Sequence, residues 1–314
     1  MKKKIKYRIR NWSDYNRSLR ERGSLTFWIS EELLANWIEQ EKTGQRGRSA
    51  QYTEAAILAM ASLKLVFHQA GRQTCGLVAS VFRLLKVDLP VPEHSTLSRR
   101  MAEMEVGLEV KTNPQPRHLV IDSTGLKVYG EGEWKVRTHG VSKRRTWRKL
   151  HLCIDAGSGE VIVAAASENS VSDCAVFPEM LRAVEDEIEQ ISADGSYDRR
   201  KVYAALNERE IKRAAIPPRK GAKIWQHGNS RKERLIGDEN LRAVRKKGRR
   251  PWKREANYHQ RSLAETGVFR FKTIFTDKLQ SRKQDNQFQE MIIKCAVLNR
   301  MTHLGLPDSY KVAA

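Results

Sequence analysis

Three acidic side chains in this chain stand where acidic side chains need a reason. The 314 residues include 58 Lys and Arg against 37 Asp and Glu, a formal net charge of +21. Within that cationic background Asp122 closes the apolar run His-Leu-Val-Ile-Asp, and Asp194 closes Ile-Ser-Ala-Asp. Both runs read as short strands ending in a carboxylate. Two aspartates on adjacent strand ends could share a cation. A third candidate comes from spacing: Tyr258 is followed three residues on by Arg261, four further by Glu265 and seven further by Lys272. On a helix Tyr258, Arg261 and Glu265 fall at i, i+3 and i+7, so they share one face. Glu265 would complete an all-oxygen donor set suited to Mg²⁺, or to Mn²⁺ in its place, with waters and phosphate oxygens as the remaining ligands. Two such ions, about 3.5–4 Å apart, activate an attacking oxygen and stabilise the leaving one in phosphoryl transfer. Arg261 would clamp a phosphate beside Glu265. Tyr258 would hydrogen-bond the same backbone, and Lys272, beyond Gly267, has no assigned place on the helix.

Taken singly, each carboxylate has a plainer reading. Asp122 and Asp194 suit strand-end turns, and Glu265 suits a solvated helix face. Their order along the chain, together with the Tyr/Arg/Lys spacing, separates them from other acidic residues. Asp155 opens Asp-Ala-Gly-Ser-Gly, which is hairpin-turn chemistry. Asp198 suits a helix N-cap, and Glu255 lacks Tyr and Arg at the right offsets. His139, His151 and His259 read as structural or phosphate-contacting groups, because hard Mg²⁺ prefers oxygen.

The elements that must position these groups change character near Arg117. Residues 1–112 read as helical, and residues 113–314 as a mixed α/β domain. In the first part Ser30 caps a helix over 31–41. Thr53 opens one over 53–69 that Gly71 stops, another covers 72–85, and Leu-Pro-Val-Pro (89–92) breaks the chain before Ser95 caps a short helix over 96–101. The last two helices resemble a helix-turn-helix, which would aim Arg99 and Arg100 at DNA; the plainer reading is a solvated basic face. In the second part strands are expected over 118–122, 148–155, 161–166, 191–195 and 212–218. Helices are expected over 177–188, 199–209, from Tyr258 to Phe271, and over 287–304. Three strands, a helix, a strand, a helix, a strand and a helix is the order of a ribonuclease-H-like fold, which sets functional groups at strand ends.

A chain this basic favours polyanions, nucleic acid first, because neutralising phosphates releases counterions. Arg144, Arg145, Arg148 and Lys149, with Trp147 among them, form a basic strand edge that would face DNA, though a solvated edge has the same pattern. Residues 219–254 read as a very basic, irregular insertion whose Trp225 and Trp252 would stack on unpaired bases. No apolar segment follows the basic start, and no run of 18 apolar residues occurs, so neither a signal peptide nor a membrane span is expected. The four cysteines lie far apart with no Cys-x-x-Cys pair, which argues against a zinc module and for a reduced, cytoplasmic protein.

The Tyr258/Arg261/Glu265/Lys272 pattern resembles the Tyr-x2-Arg-x3-Glu-x6-Lys signature of bacterial insertion-sequence transposases of the DDE class. The stretches Trp12 to Trp28, Val120 to Gly125, Ser142 to His151 and Ala193 to Asp198 look like the insertion-sequence-five group, so the likeness runs over about residues 7–304. It implies a ribonuclease-H-like core with Asp122, Asp194 and Glu265 as metal ligands. It also implies binding of terminal inverted repeats in double-stranded DNA, hydrolytic nicking at element ends, and joining of the freed 3′-hydroxyl to target DNA. Pairing two ends implies a homodimer or larger assembly on nucleoid DNA, with no membrane. A nuclease without strand transfer and a transposase-derived repressor are the alternative readings.

Overall fold

The computed structural model describes residues 6–40, 51–128, 147–227 and 235–312. They form two compact units: Leu108–Cys295, and a second composed of Met1–Gly107 with Ala296–Ala314. The sequence-based division at 112/113 left the C-terminal segment with the larger domain. It joins the other unit because β1 (Lys6–Ile9) pairs antiparallel with the last strand, Ser309–Val312. Both strands alternate polar and apolar residues, Lys-Tyr-Arg-Ile and Ser-Tyr-Lys-Val, but each is only four residues long and they stand at opposite ends of the chain, so their pairing was not foreseen.

The rest of that unit is helical: α1 (Trp12–Glu21), α2 (Leu25–Trp28), α3 (Glu31–Ala35), α4 (Glu54–Val66), α5 (Gly71–Leu85) and α6 (His94–Glu103). Two caps are as expected. Ser30 Oγ accepts from the Leu33 N–H at 3.2 Å, and Thr53 Oγ1 from the Ala56 N–H at 3.2 Å. Three boundaries differ. α3 stops at Ala35. α4 ends before His68, which takes the left-handed conformation (φ 52), while Gly71 opens α5 instead of closing α4. The glycine is needed there for another reason, since a Cβ on Gly71 would stand 3.3 Å from the Cβ of His94 on α6. α6 begins at His94 with Glu93 at its N-cap, so Ser95 lies inside the first turn.

The connection over 86–93 is longer than the turn of about three or four residues in a helix-turn-helix. Its Leu-Pro-Val-Pro stretch cannot coil, and Trp37 Nε1 donates to the Pro90 carbonyl at 2.8 Å. Arg100 donates to the Tyr52 carbonyl at 3.1 Å, whereas Arg99 is exposed and stands 3.9 Å from Glu103.

The larger unit is built on β2 (Arg117–Val128), β3 (Trp147–Asp155), β4 (Val161–Glu168), α7 (Asp173–Arg182), β5 (Ile188–Ala193), α8 (Arg200–Glu208) and β6 (Ala214–Ala215). α9 (Ile236–Lys247), α10 (Arg249–Glu255), α11 (Ser262–Phe275), β7 (Lys278–Leu279) and α12 (Gln284–Leu304) follow, and β8 is Ser309–Val312 of the other unit. The sheet runs β4-β3-β2-β5-β6, with β7 also pairing β2. β2, β3 and β4 are antiparallel neighbours, while β5 lies parallel to β2 and β6 parallel to β5. This is the ribonuclease-H-like order expected from the sequence. Among the described residues no helix is long and apolar enough to cross a membrane.

Alternation along the strands sorts the residues onto two faces. Leu119 and Ile121 of β2, Cys153 of β3, and Ile191 and Ala193 of β5 pack under Phe177, Met180 and Leu181 of α7 and Val202, Tyr203 and Leu206 of α8. Val120, Asp122, Leu152 and Ile154 therefore point to the other face, which α11 covers.

Several elements depart from expectation. β2 runs on past Asp122, because β3 pairs it as far as Lys127 and β7 joins at Lys127 and Val128. Asp122 is thus a mid-strand residue. α7 lies nearer the N-terminus than expected, opening at Asp173, and β6 keeps only two residues of the strand expected over 212–218. The insertion is not irregular over its second half but forms α9 and α10. Asp238 organises it by accepting from the N–H groups of Trp225 and Gln226, both at 2.8 Å.

Asp155 does more than turn a hairpin. Arg117, 1% exposed, donates to Asp155 Oδ2 at 2.8 Å, to Asp186 Oδ2 at 2.5 Å and to the Lys111 carbonyl at 2.7 Å. Arg117→Met would leave the buried Asp155 charge without its partner and should cost about 3–5 kcal/mol in urea unfolding. A loss under about 1 kcal/mol would contradict this role.

Burial also pushes His118 and His151 below the ordinary histidine pKa. The unfolded chain then binds more protons than the folded one just below the ordinary value. Stability should be complete above about pH 6.5 and fall as pH drops below it. Replacing both histidines with Gln should flatten that decline between about pH 6.5 and pH 5. A decline unchanged by the replacements would contradict the assignment.

Candidate active site: three carboxylates around Arg261

The parallel pairing of β2 with β5 sets the geometry. Ile121 is registered with Ala193, so one further residue along each strand brings Asp122 and Asp194 side by side. Strands so paired lie about 4.8 Å apart. β5 ends at Ala193 and β7 takes up the same side of β2 only at Lys127. Among the described strands none pairs residues 122–126 on that side, and the site opens there.

Asp194 caps the 3₁₀ turn Gly195–Tyr197, with its Oδ1 accepting from Ser196 N at 2.8 Å and Ser196 Oγ at 2.5 Å. The turn is held from below by buried Tyr197, whose ring packs 5.8 Å from that of Phe177. The sequence reading missed Ser196, although Asp-Gly-Ser is the signature of an aspartate hydrogen-bonding its own backbone two residues on.

Glu265 arrives from the opposite side on α11. Asn257 (φ 50) turns the chain into a 3₁₀ turn, Tyr258–Arg261, which leads directly into the helix. Tyr258 and Arg261 therefore precede α11 and do not lie on it. Gly267 does not break the helix, and Lys272 sits on the same helix two turns past Glu265. A Cβ on Gly267 would meet Ile154 Cδ1 at 2.3 Å, so a side chain there would have to push that terminal methyl aside within the packing of α11 on the sheet.

One guanidinium joins two of the three acids. Arg261 Nη1 donates to Glu265 Oε1 at 2.6 Å and Nη2 to Asp122 Oδ2 at 3.4 Å. Burial raises the Asp122 carboxyl above the usual range; the Ser123 N–H and Arg261 oppose that shift, while the negative charges of Asp194 and Glu265 add to it. For Arg261, burial works against its charge, yet Tyr258, Asp122 and Glu265 outweigh it and raise its pKa. The Tyr258 hydroxyl is pushed up by burial and, against the pull of Arg261, by Asp194, Glu265 and Asp122. It stays protonated, a hydrogen-bond donor at neutral pH. Asp122 thus feels both other carboxylates, but among the described residues no three acidic, His or Cys side chains converge closely enough to hold a metal ion as they stand. The cation between Asp122 and Glu265 in this arrangement is Arg261. The donor set, carboxylates with no sulfur or imidazole, suits a hard divalent ion.

The other nominated residues divide. Lys149 Nζ is engaged by the Val171 carbonyl at 2.8 Å and Asp173 Oδ1 at 3.1 Å. Arg148 donates to Gln287 Oε1 at 3.0 Å and lies over the Phe288 ring. Trp147 covers Gly125, where a Cβ would meet its indole at 3.2 Å, and Lys127 stands 5.7 Å over its ring. His151 is buried against Ser167 Oγ at 2.8 Å. Arg144, Arg145 and His139 lie outside the described residues. Trp252 is 3% exposed, and Trp225 packs between Tyr203 and Arg200, so neither presents the open ring that stacking on DNA requires.

A family model described as "Transposase DDE domain" matches residues 113–300, and a second model with the same description matches residues 20–131. Among solved structures the chain is similar to a piggyBac transposase synaptic complex with hairpin DNA, at 11% identity over 90% of this chain and 73% of that one, with a TM-score of 0.40. It is also similar to the Drosophila P element transposase strand transfer complex, at 11% identity over 93% and 86%, TM-score 0.30. The third is the Mos1 strand transfer complex, at 12% identity over 77% and 83%, TM-score 0.22. At these TM-scores the assignment of family rests on the two family models alone.

The close approach at Gly267 is testable. Gly267→Ala should lift α11, cost about 1–3 kcal/mol in unfolding free energy, and lower activity at temperatures where the variant is fully folded. Unchanged stability and activity would mean that the helix has room to spare over Ile154.

Proposed function

Because the chain belongs to the transposase DDE domain family, and is therefore a metal-dependent DNA transposase that cuts and joins DNA, we propose that Asp122, Asp194 and Glu265 are its metal ligands and catalytic residues. The observation that carries this reading is the register of β2 on β5, which sets Asp122 beside Asp194 on the face reached by α11. Two Mg²⁺ ions, with Mn²⁺ as a substitute, are the cofactors that such a donor set suits. When bound, divalent ions polarise the scissile phosphate and lower the pKa of an attacking water.

The chain's own groups do the rest. Asp122 and Glu265 would supply oxygens with Arg261 turned from them, and Asp194 would supply the oxygen not held by Ser196. Arg261, already fully charged, then has its fork free for a phosphate, to which bidentate geometry gives orientation. Tyr258 keeps its proton and donates to the same backbone. Lys272, farther along α11, contributes a second positive charge. The nick is a hydrolysis at an element end; in the joining step the freed 3′-hydroxyl replaces water as the nucleophile on target DNA.

The substrate is double-stranded DNA bearing terminal inverted repeats, recognised with help from the exposed Arg99 of the helical unit and from Arg144 and Arg145; Arg100, Trp147, Arg148 and Lys149 are engaged within the protein and are not proposed as DNA contacts. Two ends must be processed together, so the working form is a homodimer or a larger assembly.

Asp122→Asn, Asp194→Asn and Glu265→Gln should each reduce cutting of end DNA by at least about a hundredfold while leaving DNA binding in place. The assay uses labelled duplexes with the sequence bordering the gene, a target plasmid and added Mg²⁺. Full cutting by any one variant would remove that residue from the site. Cutting by the intact protein without joined product would make it a nuclease.

A further inference from the structure

The helical unit offers DNA little through a helix-turn-helix, since Arg100 is engaged and the connection over 86–93 is long. The same unit holds a second basic element, the ribbon of β1 and β8. Its two strands pair antiparallel, with Tyr7 opposite Lys311, Arg8 opposite Tyr310 and Ile9 opposite Ser309. Alternation puts Tyr7 and Lys311 on one face and Arg8 and Tyr310 on the other. All four are exposed, Tyr7 to 65%. Each face therefore presents a cation and an aromatic ring to solvent.

The base of the ribbon is fixed to its own unit. Arg10 N donates to the Asp308 carbonyl at 2.7 Å, Asn11 Nδ2 to the Leu306 carbonyl at 3.0 Å, and Asp308 N to Asn11 Oδ1 at 2.7 Å. Arg22 donates to the Gly305 carbonyl at 3.0 Å. Arg10 continues the Arg8 face, with its guanidinium 5.3 Å over the Tyr310 ring and 3.8 Å from Asp308. The side chains of Arg8 and Lys311, by contrast, have no hydrogen bond or ion pair among the described residues. A two-stranded ribbon is marginal by itself, and this one is held firmly while keeping two uncommitted cations.

We propose that the ribbon of β1 and β8 lies in the major groove of duplex DNA at an element end, with Arg8 on a guanine edge and Lys311 on the phosphate backbone. The major groove, about 12 Å wide, admits a two-stranded ribbon. The guanidinium fork of an arginine matches the O6 and N7 acceptors of guanine. The opposite face of the ribbon then stands at the mouth of the groove, where the compact charge of a lysine meets phosphates. A second copy of the chain is the poorer occupant. Edge pairing of two ribbons would set their cations against one another. The inference needs the chain to act on DNA, and does not depend on the assignment of Asp122, Asp194 and Glu265.

The test measures equilibrium binding of the full-length protein by fluorescence anisotropy, without Mg²⁺ so that nothing is cut. One duplex carries the sequence bordering the gene, and another of equal length carries an unrelated sequence. The intact protein should prefer the first, and should lose about tenfold in affinity when one particular guanine in it is replaced by 7-deazaguanine. Arg8→Ala should lose a similar factor on the bordering duplex, keep its affinity for the unrelated one, and no longer respond to the replacement. Lys311→Ala should weaken both duplexes equally and lower the slope of log affinity against log salt by about one. Both variants should keep the unfolding midpoint, because the side chains are exposed. The proposal is overturned if the intact protein binds both duplexes alike or responds to no replacement. It is equally overturned if Arg8→Ala binds the bordering duplex as tightly as the intact protein, weakens both duplexes by the same factor, or still responds to 7-deazaguanine. A lowered unfolding midpoint would make Arg8 a structural part of the ribbon, and altered sedimentation of the free variants would make the ribbon a contact between copies; either result overturns its role in reading DNA.

Discussion

Like charges brought together in a partly buried place require a counter-charge. Here Asp122 and Glu265 are held against a single guanidinium, Arg261, with Asp194 near enough to raise the Asp122 carboxyl further. Asp122 is desolvated and feels the negative charge of the other two acids, so a positive group beside it stabilises its charged form. Arg261 meets that need within the chain. On the proposed assignment, a divalent ion, with more charge and no side-chain entropy to lose, would take the place of the guanidinium, and the freed arginine would stand beside the same acids as a phosphate clamp.

The fold supplies this crowding through few contacts. Parallel pairing of β2 and β5 sets two aspartates abreast, and the early end of β5 leaves the edge of β2 free beyond them. With no side chain at Gly267, α11 packs against Ile154 without pushing its terminal methyl aside, and Glu265 comes across on that helix. Each acid is fixed by backbone geometry. Asp122 is mid-strand, Asp194 caps its own turn, and Glu265 lies in the first turn of a helix. Groups so placed move little, whereas a long arginine side chain reorients readily, and that division suits a site in which the cation must change.

Much of this was readable from the residues alone. The ribonuclease-H-like succession of strands and the adjacency of Asp122 to Asp194 follow from two apolar runs that each carry an aspartate, and the Tyr258-to-Lys272 spacing nominates Glu265 on the helix that covers them. What escaped depended on partners distant in the chain. Nothing local in β2 shows that it continues beyond Asp122, since β3 and β7 carry it on. Trp225 and Trp252 look free among cations in sequence, yet Tyr203, Arg200 and Asn240 consume them. Lys149 looks like a DNA contact until Asp173 and the Val171 carbonyl are seen to hold it. Pairing of Lys6–Ile9 with Ser309–Val312 joins opposite ends of the chain, and although each segment alternates like a strand, nothing local names its partner.

The account stands on a divalent ion drawing all three acids to itself. Replacing Mg²⁺ with Fe²⁺ and generating hydroxyl radicals at the bound iron cuts the backbone only close to the ion. The expected fragments end near residues 122, 194 and 265 together, and all three disappear when excess Mg²⁺ is added. Cuts confined to one of these places, or a pattern centred elsewhere in the chain, would contradict a shared site.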